Sequence, residues 1–255
     1  MMRGGKIFLL CVCGCISLSS ISQTRIVNRS EQQWLQYYAQ IKVAEKWTAL
    51  ADAGYRATDF LNDPLQYIVR GGVDYGINPN LHVAAGFAHL GFYSGGKENR
   101  IEFRPYQELL NKNKFNKVEL THRFRVEERI FHTVVNGAIQ HPATFNFRFR
   151  YFFVASIPLF QLSKKNADKK VLLNVGDEIF INAGKEIVYN VFDQNRFLIS
   201  PTLQVNPVFL ISFTWNSQFG ATSKQATYNY ASVAWLQIRH KINFDPKKQR
   251  HSLLR

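Results

Sequence analysis

The sequence predicts an all-β fold, an antiparallel transmembrane β-barrel of about twelve strands (10–12) with short periplasmic turns and longer extracellular loops. Three observations lead there. Apolar and polar residues alternate with period two in segment after segment from Trp34 to Phe244. A strand sends successive side chains to opposite faces, so this pattern gives each segment one apolar and one polar side. The apolar rows are unusually aromatic, with 21 Phe, 11 Tyr and 4 Trp in 255 residues. The breaks between segments alternate between short and long, the arrangement of outer-membrane barrels.

The elements follow in order. "WLQYYAQIKV" sets Leu35, Tyr37, Ala39, Ile41 and Val43 against Trp34, Gln36, Tyr38, Gln40 and Lys42. "AEK" turns into "WTALADAGYR", where Asp52 and Arg56 share a face. "QYIVRGGVDYGI" opposes Arg70, Gly72 and Asp74 to Tyr67, Val69, Val73 and Tyr75, and "NPN" turns into "LHVAAGFAHLGF". "IEFRPYQELL" aligns Glu102, Arg104, Tyr106 and Glu108, and "THRFRVEERIF" aligns Arg123, Arg125, Glu127 and Arg129 against Phe124, Val126 and Ile130. "FNFRFRYFFV" sets Asn146, Arg148 and Arg150 against Phe145, Phe147, Phe149, Tyr151 and Phe153, a row natural against lipid and odd against water. "VLLNVGDEIFIN", "RFLISPTLQV", "VFLISFTW" and "YNYASVAWLQIRHKINF" complete the series. About eleven segments of roughly 10 residues can be counted, and the usual even number of such barrels raises the expectation to twelve.

A soluble lipocalin-like or sandwich protein has the same period with the faces reversed. The aromatic rows, the number of strands and the terminal Phe244 of the last long strand favour the membrane barrel. No run of about 20 apolar residues is present to form a spanning helix. The mean hydropathy of −0.20 does not discriminate, because half of each barrel strand faces a polar interior.

Residues 1–22 read as a signal peptide, with Arg3 and Lys6 before the apolar "IFLLCVCGCISLSS" and a cut near Ser22/Gln23. All three cysteines, Cys11, Cys13 and Cys15, lie in it, so residues 23–244 form a thiol-free barrel and 245–255 a basic tail. Its removal takes two positive and no negative charges, changing the net charge from +14 to +12. The basic residues are spread through strand-like segments, with no basic helix or nucleic-acid motif. The expected surroundings are outer-membrane lipids and lipopolysaccharide, with the barrel assembly machinery acting during insertion. No nucleic-acid partner and no cofactor is expected, and oligomeric state is not legible.

In order along the chain, "WLQYYAQIKVAEKW", "EFRPYQEL", "LTHRFRVEERIF", "FRFRYFF", "VGDEIFIN" and "FDQNRF" resemble the family called Domain of Unknown Function 2490. The resemblance covers nearly all of residues 23–244 and implies a bacterial outer-membrane barrel of the kind found in Bacteroidetes. It implies no activity and carries over no catalytic residue. Two departures stand out: the basic tail Asp245 to Arg255, and Pro105 inside a strand, where it removes a ladder donor and suggests a bulge or bend.

The candidate site is a lumen-facing charged network: Asp52, Arg56, Arg70, Asp74, Glu102, Arg104, Glu108, Arg123, Arg125, Glu127, Arg129, Arg148, Arg150, Glu178 and Arg196. Guanidinium and carboxylate groups pair bidentately, so one expectation is a salt-bridge lattice that braces the barrel. The other is a pathway for a small anionic solute, because nine arginines face six carboxylates in this set. A lipid-modifying barrel enzyme is the alternative from another class. Against it, neither His122 nor His240 has a serine two residues away, and no G-x-S-x-G elbow occurs. No catalytic residue and no metal ligand is expected. Tyr37, Tyr67, Tyr75, Trp215, Tyr228 and Tyr230 lie mostly towards strand ends and read as interfacial girdles.

Overall fold

The structure is a computed structural model that describes residues 25–244. The expected signal segment, residues 1–22 with three cysteines, and the basic tail 245–255 lie outside the described residues. Twelve strands follow one another, with one 3-10 turn at Asp59–Leu61. They are β1 (Ile26–Lys42), β2 (Trp47–Thr58), β3 (Asp63–Gly76), β4 (Leu81–Ser94), β5 (Lys97–Phe115) and β6 (Val118–Val135). Then come β7 (Ala138–Ile139), β8 (Thr144–Gln161), β9 (Lys170–Ala183), β10 (Phe192–Gln204), β11 (Phe209–Ala221) and β12 (Thr227–Asn243). The two-residue β7 pairs only with the end of β6. The other eleven form one closed barrel.

Neighbouring strands are antiparallel hairpins everywhere except at one seam. There β1 and β12 run parallel, in register from Ile26 opposite Thr227 to Lys42 opposite Asn243. Eleven barrel strands fall within the expected 10–12, and only the parallel seam departs from the expected antiparallel pairing. An up-and-down meander with an odd number of strands brings its first and last strand to the seam pointing the same way, so closure has to be parallel. One mouth of the barrel therefore holds the start of β1, and the opposite mouth holds the end of β12. We call these the N-terminal and C-terminal mouths.

The strands run from 12 to 19 residues, longer than the ten or so expected for a tilted membrane strand. The segregation of short and long connections is incomplete. The C-terminal mouth carries 43–46, 77–80, 116–117 and 205–208, but also the eight-residue 162–169. The N-terminal mouth carries the long 136–143 and 184–191, but also a two-residue turn at Gly95–Gly96 with φ of 58° and 72°. A primed hairpin turn needs positive φ at both central positions, which glycine adopts without steric penalty.

Pro105 produces no bulge. The β5–β6 register continues from Phe103 opposite Ile130 to Tyr106 opposite Glu127, and only the pairs at Arg104 and Pro105 are skipped. Pro105 remains paired to Phe87 on β4, so its missing N–H faces β6. Pro201 does the same to β10–β11, between Ile199 opposite Trp215 and Thr202 opposite Ser212.

The alternation resolves into an apolar outside and a polar inside. Phe124, Phe145, Phe147, Phe149, Tyr151, Ile179, Phe197, Ile199, Phe213, Trp215 and Phe219 are all exposed on the outer face of β6 and β8–β11. The side chains between them along each strand point into the barrel. Two small apolar clusters sit inside: Trp34, Ala231 and Val233 at the seam, and Ile68, Ala88 and Leu90 on β3–β4. Next to the second, Tyr106 lies across Gly72 and Gly86, which are paired on β3 and β4. A Cβ at Gly86 would meet the Tyr106 ring and the Gly71 carbonyl oxygen. Gly86→Val should therefore displace Tyr106 and destabilise the barrel by about 1–3 kcal/mol, measured as a lowered midpoint of thermal unfolding in detergent.

Candidate functional site: a charged lumen

Five carboxylates and seven arginines form one lattice across the barrel midsection. Glu127 on β6 is its hub. Its oxygens lie 2.6 Å from Arg148, 2.5 Å from Arg150, and 3.8 Å from both Arg104 and Arg125. Glu178 on β9 accepts from Arg150 at 2.6 Å and Arg123 at 2.7 Å, with Arg196 at 3.8 Å. Glu102 on β5 accepts from Arg104 at 2.6 Å and Arg129 at 2.8 Å, and Glu108 from Arg125 at 2.5 Å. Arg148 completes the set with Asp193 on β10 at 3.0 Å.

The reach of these side chains fixes their place in the lumen. Arg123 spans from β6 to β9 over β8, and Arg148 spans from β8 to β10 past β9. Arg56 from β2 and Arg196 from β10 both lie over the ring of Trp34 on β1, at 3.9 and 5.3 Å. Contacts between such distant strands are possible only through the barrel interior. Glu102 is wholly buried and Glu127 is 1% exposed, so the midsection is filled rather than open. Ionised groups so far from water persist only where partners replace hydration, and each of these acids has at least two arginines beside it.

The fifteen residues named from the sequence divide as follows. Glu102, Arg104, Glu108, Arg123, Arg125, Glu127, Arg129, Arg148, Arg150, Glu178 and Arg196 belong to the lattice. Asp52 and Arg70 form a separate pair on β2–β3, with Arg70 Nε donating to both carboxylate oxygens at 2.9 Å. Gln36 Nε2 donates to the same Asp52 at 2.6 Å. Arg56 has no carboxylate partner among the described residues; it donates to Gln66 Oε1 at 2.8 Å and stacks on Trp34. Asp74 pairs with His82 at 2.9 Å instead of an arginine.

Three features were missed. Asp193 belongs to the lattice, although its sequence parity groups it with the outward Asn195 and Phe197. A register shift between Phe192 and Gln194 re-aims it. Arg100, whose parity matches Glu102, stacks on Phe92 at 4.1 Å and was legible from that alignment. The third is the stacking role of the interior aromatics. Trp34 and Tyr106 stand on inward rows of the sequence, but that they carry guanidinium stacks is not legible there. Nor is it legible that Phe180 holds Arg148, Arg150 and Arg196 at 5.2, 4.5 and 4.7 Å.

The opposite wall is neutral. Ser200 and Thr214 hydroxyls meet at 2.6 Å, Gln237 donates to Thr214 at 2.8 Å, and Asn174 donates to Thr202 at 2.8 Å. Beyond this wall the N-terminal mouth opens into a cavity of about 350 Å³ lined by Asn28, Ser30, Gln32, Gln194, Gln218 and Asn229 among others. Two of the expected girdle tyrosines, Tyr37 and Tyr67, are hydrogen-bonded to histidines on the outer face, and Tyr151, outside that set, is bonded in the same way. Tyr37 meets His240 at 3.1 Å, Tyr67 meets His89 at 2.9 Å and Tyr151 meets His122 at 2.8 Å. Trp215 is a correction, since it lies mid-strand in β11 rather than at an end.

These observations define the class: a closed, odd-stranded β-barrel with an apolar exterior and an arginine–carboxylate lattice across its lumen. The chain belongs to the family described as Protein of unknown function (DUF2490), whose family model matches residues 31–229. Neither the curated proteins nor the solved structures contain a match.

Proposed function

We propose that this protein is an integral barrel of the bacterial outer membrane, exported by its N-terminal signal segment. In this reading it serves as a closed envelope barrel rather than a general porin. One observation carries the reading: the polarity of the molecule is inverted, with phenylalanines outside and paired charges inside. A soluble protein with so continuous an apolar exterior would associate through it, whereas a bilayer covers it. Outer-membrane lipids and lipopolysaccharide are the surroundings this exterior fits, and the barrel assembly machinery is the factor that would insert it.

The second reading, a narrow path for a small anion, is favoured by the charge surplus. Counting Asp193 with the six acids and Arg100 with the nine arginines named from sequence gives seven carboxylates against ten arginines, three short of neutrality. A lipid-modifying activity has less support. His89, His122 and His240 each bond a tyrosine hydroxyl on the outer face, which leaves the barrel without a serine–histidine arrangement among these three.

Detergent fractionation with a heat-dependent gel shift tests the barrel, and planar-bilayer recording tests its lumen. The expected result is a heat-modifiable membrane protein without the conductance of a general diffusion pore. Any small residual current would favour anions. A large, unselective conductance would overturn the closed lumen, and recovery in the soluble fraction would overturn the membrane assignment.

A further inference from the structure

The charges at the C-terminal mouth differ in kind from those of the midsection. Lys42 ends β1, Lys112 and Lys114 lie near the end of β5, Lys170 begins β9, and Arg239 and Lys241 lie near the end of β12. All six fall on inward-facing rows. Lys42 continues the row of Trp34, Gln36 and Tyr38; Lys112 and Lys114 that of Glu102 and Glu108; Lys170 that of Glu178; and Arg239 and Lys241 that of Val233 and Gln237. They face one another across the opening: Lys241 lies within electrostatic reach of Arg239, Lys112 and Lys170, which come from three different strands, and of Glu119 on β6. Only two acids share these rows at this end. Asp74 is taken by His82, and Glu119, opposite Lys114 in register, makes no ion pair among the described residues. None of the six cations has an ion-pair partner among the described residues either, whereas every acid of the midsection lattice has at least two arginines.

We propose that this mouth is a binding vestibule for a small, phosphate-bearing multivalent anion entering from the aqueous side. Like charges converging on a concave, low-dielectric surface raise the local anion concentration, and an unpaired set leaves that potential unspent on internal partners. Four of the five lysines and the arginine sit on β5, β9 and β12, so one anion with several charges can bridge all three strands. Lysine ammonium groups are compact, strongly hydrated donors that suit phosphate oxygens without demanding a planar fit. A lipid headgroup is disfavoured as the occupant because the rows point into the lumen, away from the surrounding bilayer. The lattice above seals the floor, so the anion binds at the mouth.

The inference rests on the barrel reading, and one preparation separates the two. Full-length protein is reconstituted in nanodiscs, its heat-modifiability is recorded, and binding of inorganic tripolyphosphate and of orthophosphate is measured by calorimetry at low and at physiological salt. Tripolyphosphate is expected to bind more tightly than orthophosphate and to weaken about tenfold between the two salt conditions. Paired Lys112→Gln and Lys241→Gln changes should weaken it by at least about tenfold, the loss of one or two charge contacts. Paired Lys164→Gln and Lys165→Gln changes, which remove the same charge from the 162–169 connection, should leave it unchanged. A heat-modifiable protein that binds no tripolyphosphate, or whose two paired variants weaken equally, overturns the vestibule alone. Failure to insert in nanodiscs overturns the barrel reading itself.

Discussion

Glu127→Ala is expected to produce the largest loss of stability of any single substitution in the lumen. The carboxylate contacts four arginines drawn from β5, β6 and β8, and two of them, Arg148 and Arg150, bond it at 2.6 and 2.5 Å. Removing one partner from a buried ion pair leaves the other charged and unsolvated, which costs about 3–5 kcal/mol. Here Arg148 keeps Asp193 and Arg150 keeps Glu178, so the loss falls within that range rather than multiplying by four. The variant should unfold at lower temperature on heat-modifiability gels and render reconstituted vesicles permeable to small solutes. The double variant Glu127→Ala with Arg148→Ala should lose less than the sum of the two single losses, a coupling that only a shared network gives. Unchanged gel mobility together with unchanged permeability would remove the bracing role.

Phe149→Arg is the second large effect, and it tests the sense of inside and outside. Phe149 lies on the outer face of β8, 37% exposed, between Val126 on β6 and Ile181 on β9. On the surface of a soluble protein this change is nearly neutral and improves solubility. On the lipid face of a barrel, arginine costs about 2–4 kcal/mol near the midplane. Folding yield into lipid vesicles should therefore drop sharply for Phe149→Arg. Phe149→Leu, which keeps the surface apolar, should fold like the parent. Equal yields for both would argue that no bilayer covers this face.

How much of this was legible in the sequence depends on the kind of contact. The period-two rows are local properties, and "THRFRVEERIF" alone separates Arg123, Arg125, Glu127 and Arg129 from Phe124, Val126 and Ile130. Which charges share the inward rows is readable to the same depth, but not which of them join the lattice, since Asp52, Arg56, Arg70 and Asp74 pair outside it. Which arginine meets which acid is not readable either, because Arg123 with Glu178 and Arg148 with Asp193 depend on barrel curvature bringing non-adjacent strands together. Asp193 escaped because a bulge shifts parity by one, and a parity argument has no means of seeing a bulge without glycine or proline to mark it. Pro105 illustrates the reverse: a visible marker whose effect is two skipped pairs and no bulge. The segments themselves number about eleven, and only the even-number tendency of such barrels points to twelve; a parallel seam between chain-distant strands leaves no trace in either strand's sequence to overrule it.

That seam makes the barrel a ring with a clasp. Every other junction joins strands that follow one another in the chain, so ten hairpin steps can form as their residues become available. The clasp joins Ile26–Lys42 to Thr227–Asn243, with Asn28 and its partner Asn229 separated by 201 positions in the chain. Until β12 is in place, the free edge of β1 offers its row of unsatisfied backbone groups to any strand that comes near. Non-local pairing of this kind is slow because the whole loop must be ordered before it is rewarded. The sequence places charges where that wait is longest: Arg29 and Glu31 lie on the open length of β1, and Lys42 closes it. A half-made barrel thus carries its own deterrent against pairing with a stranger.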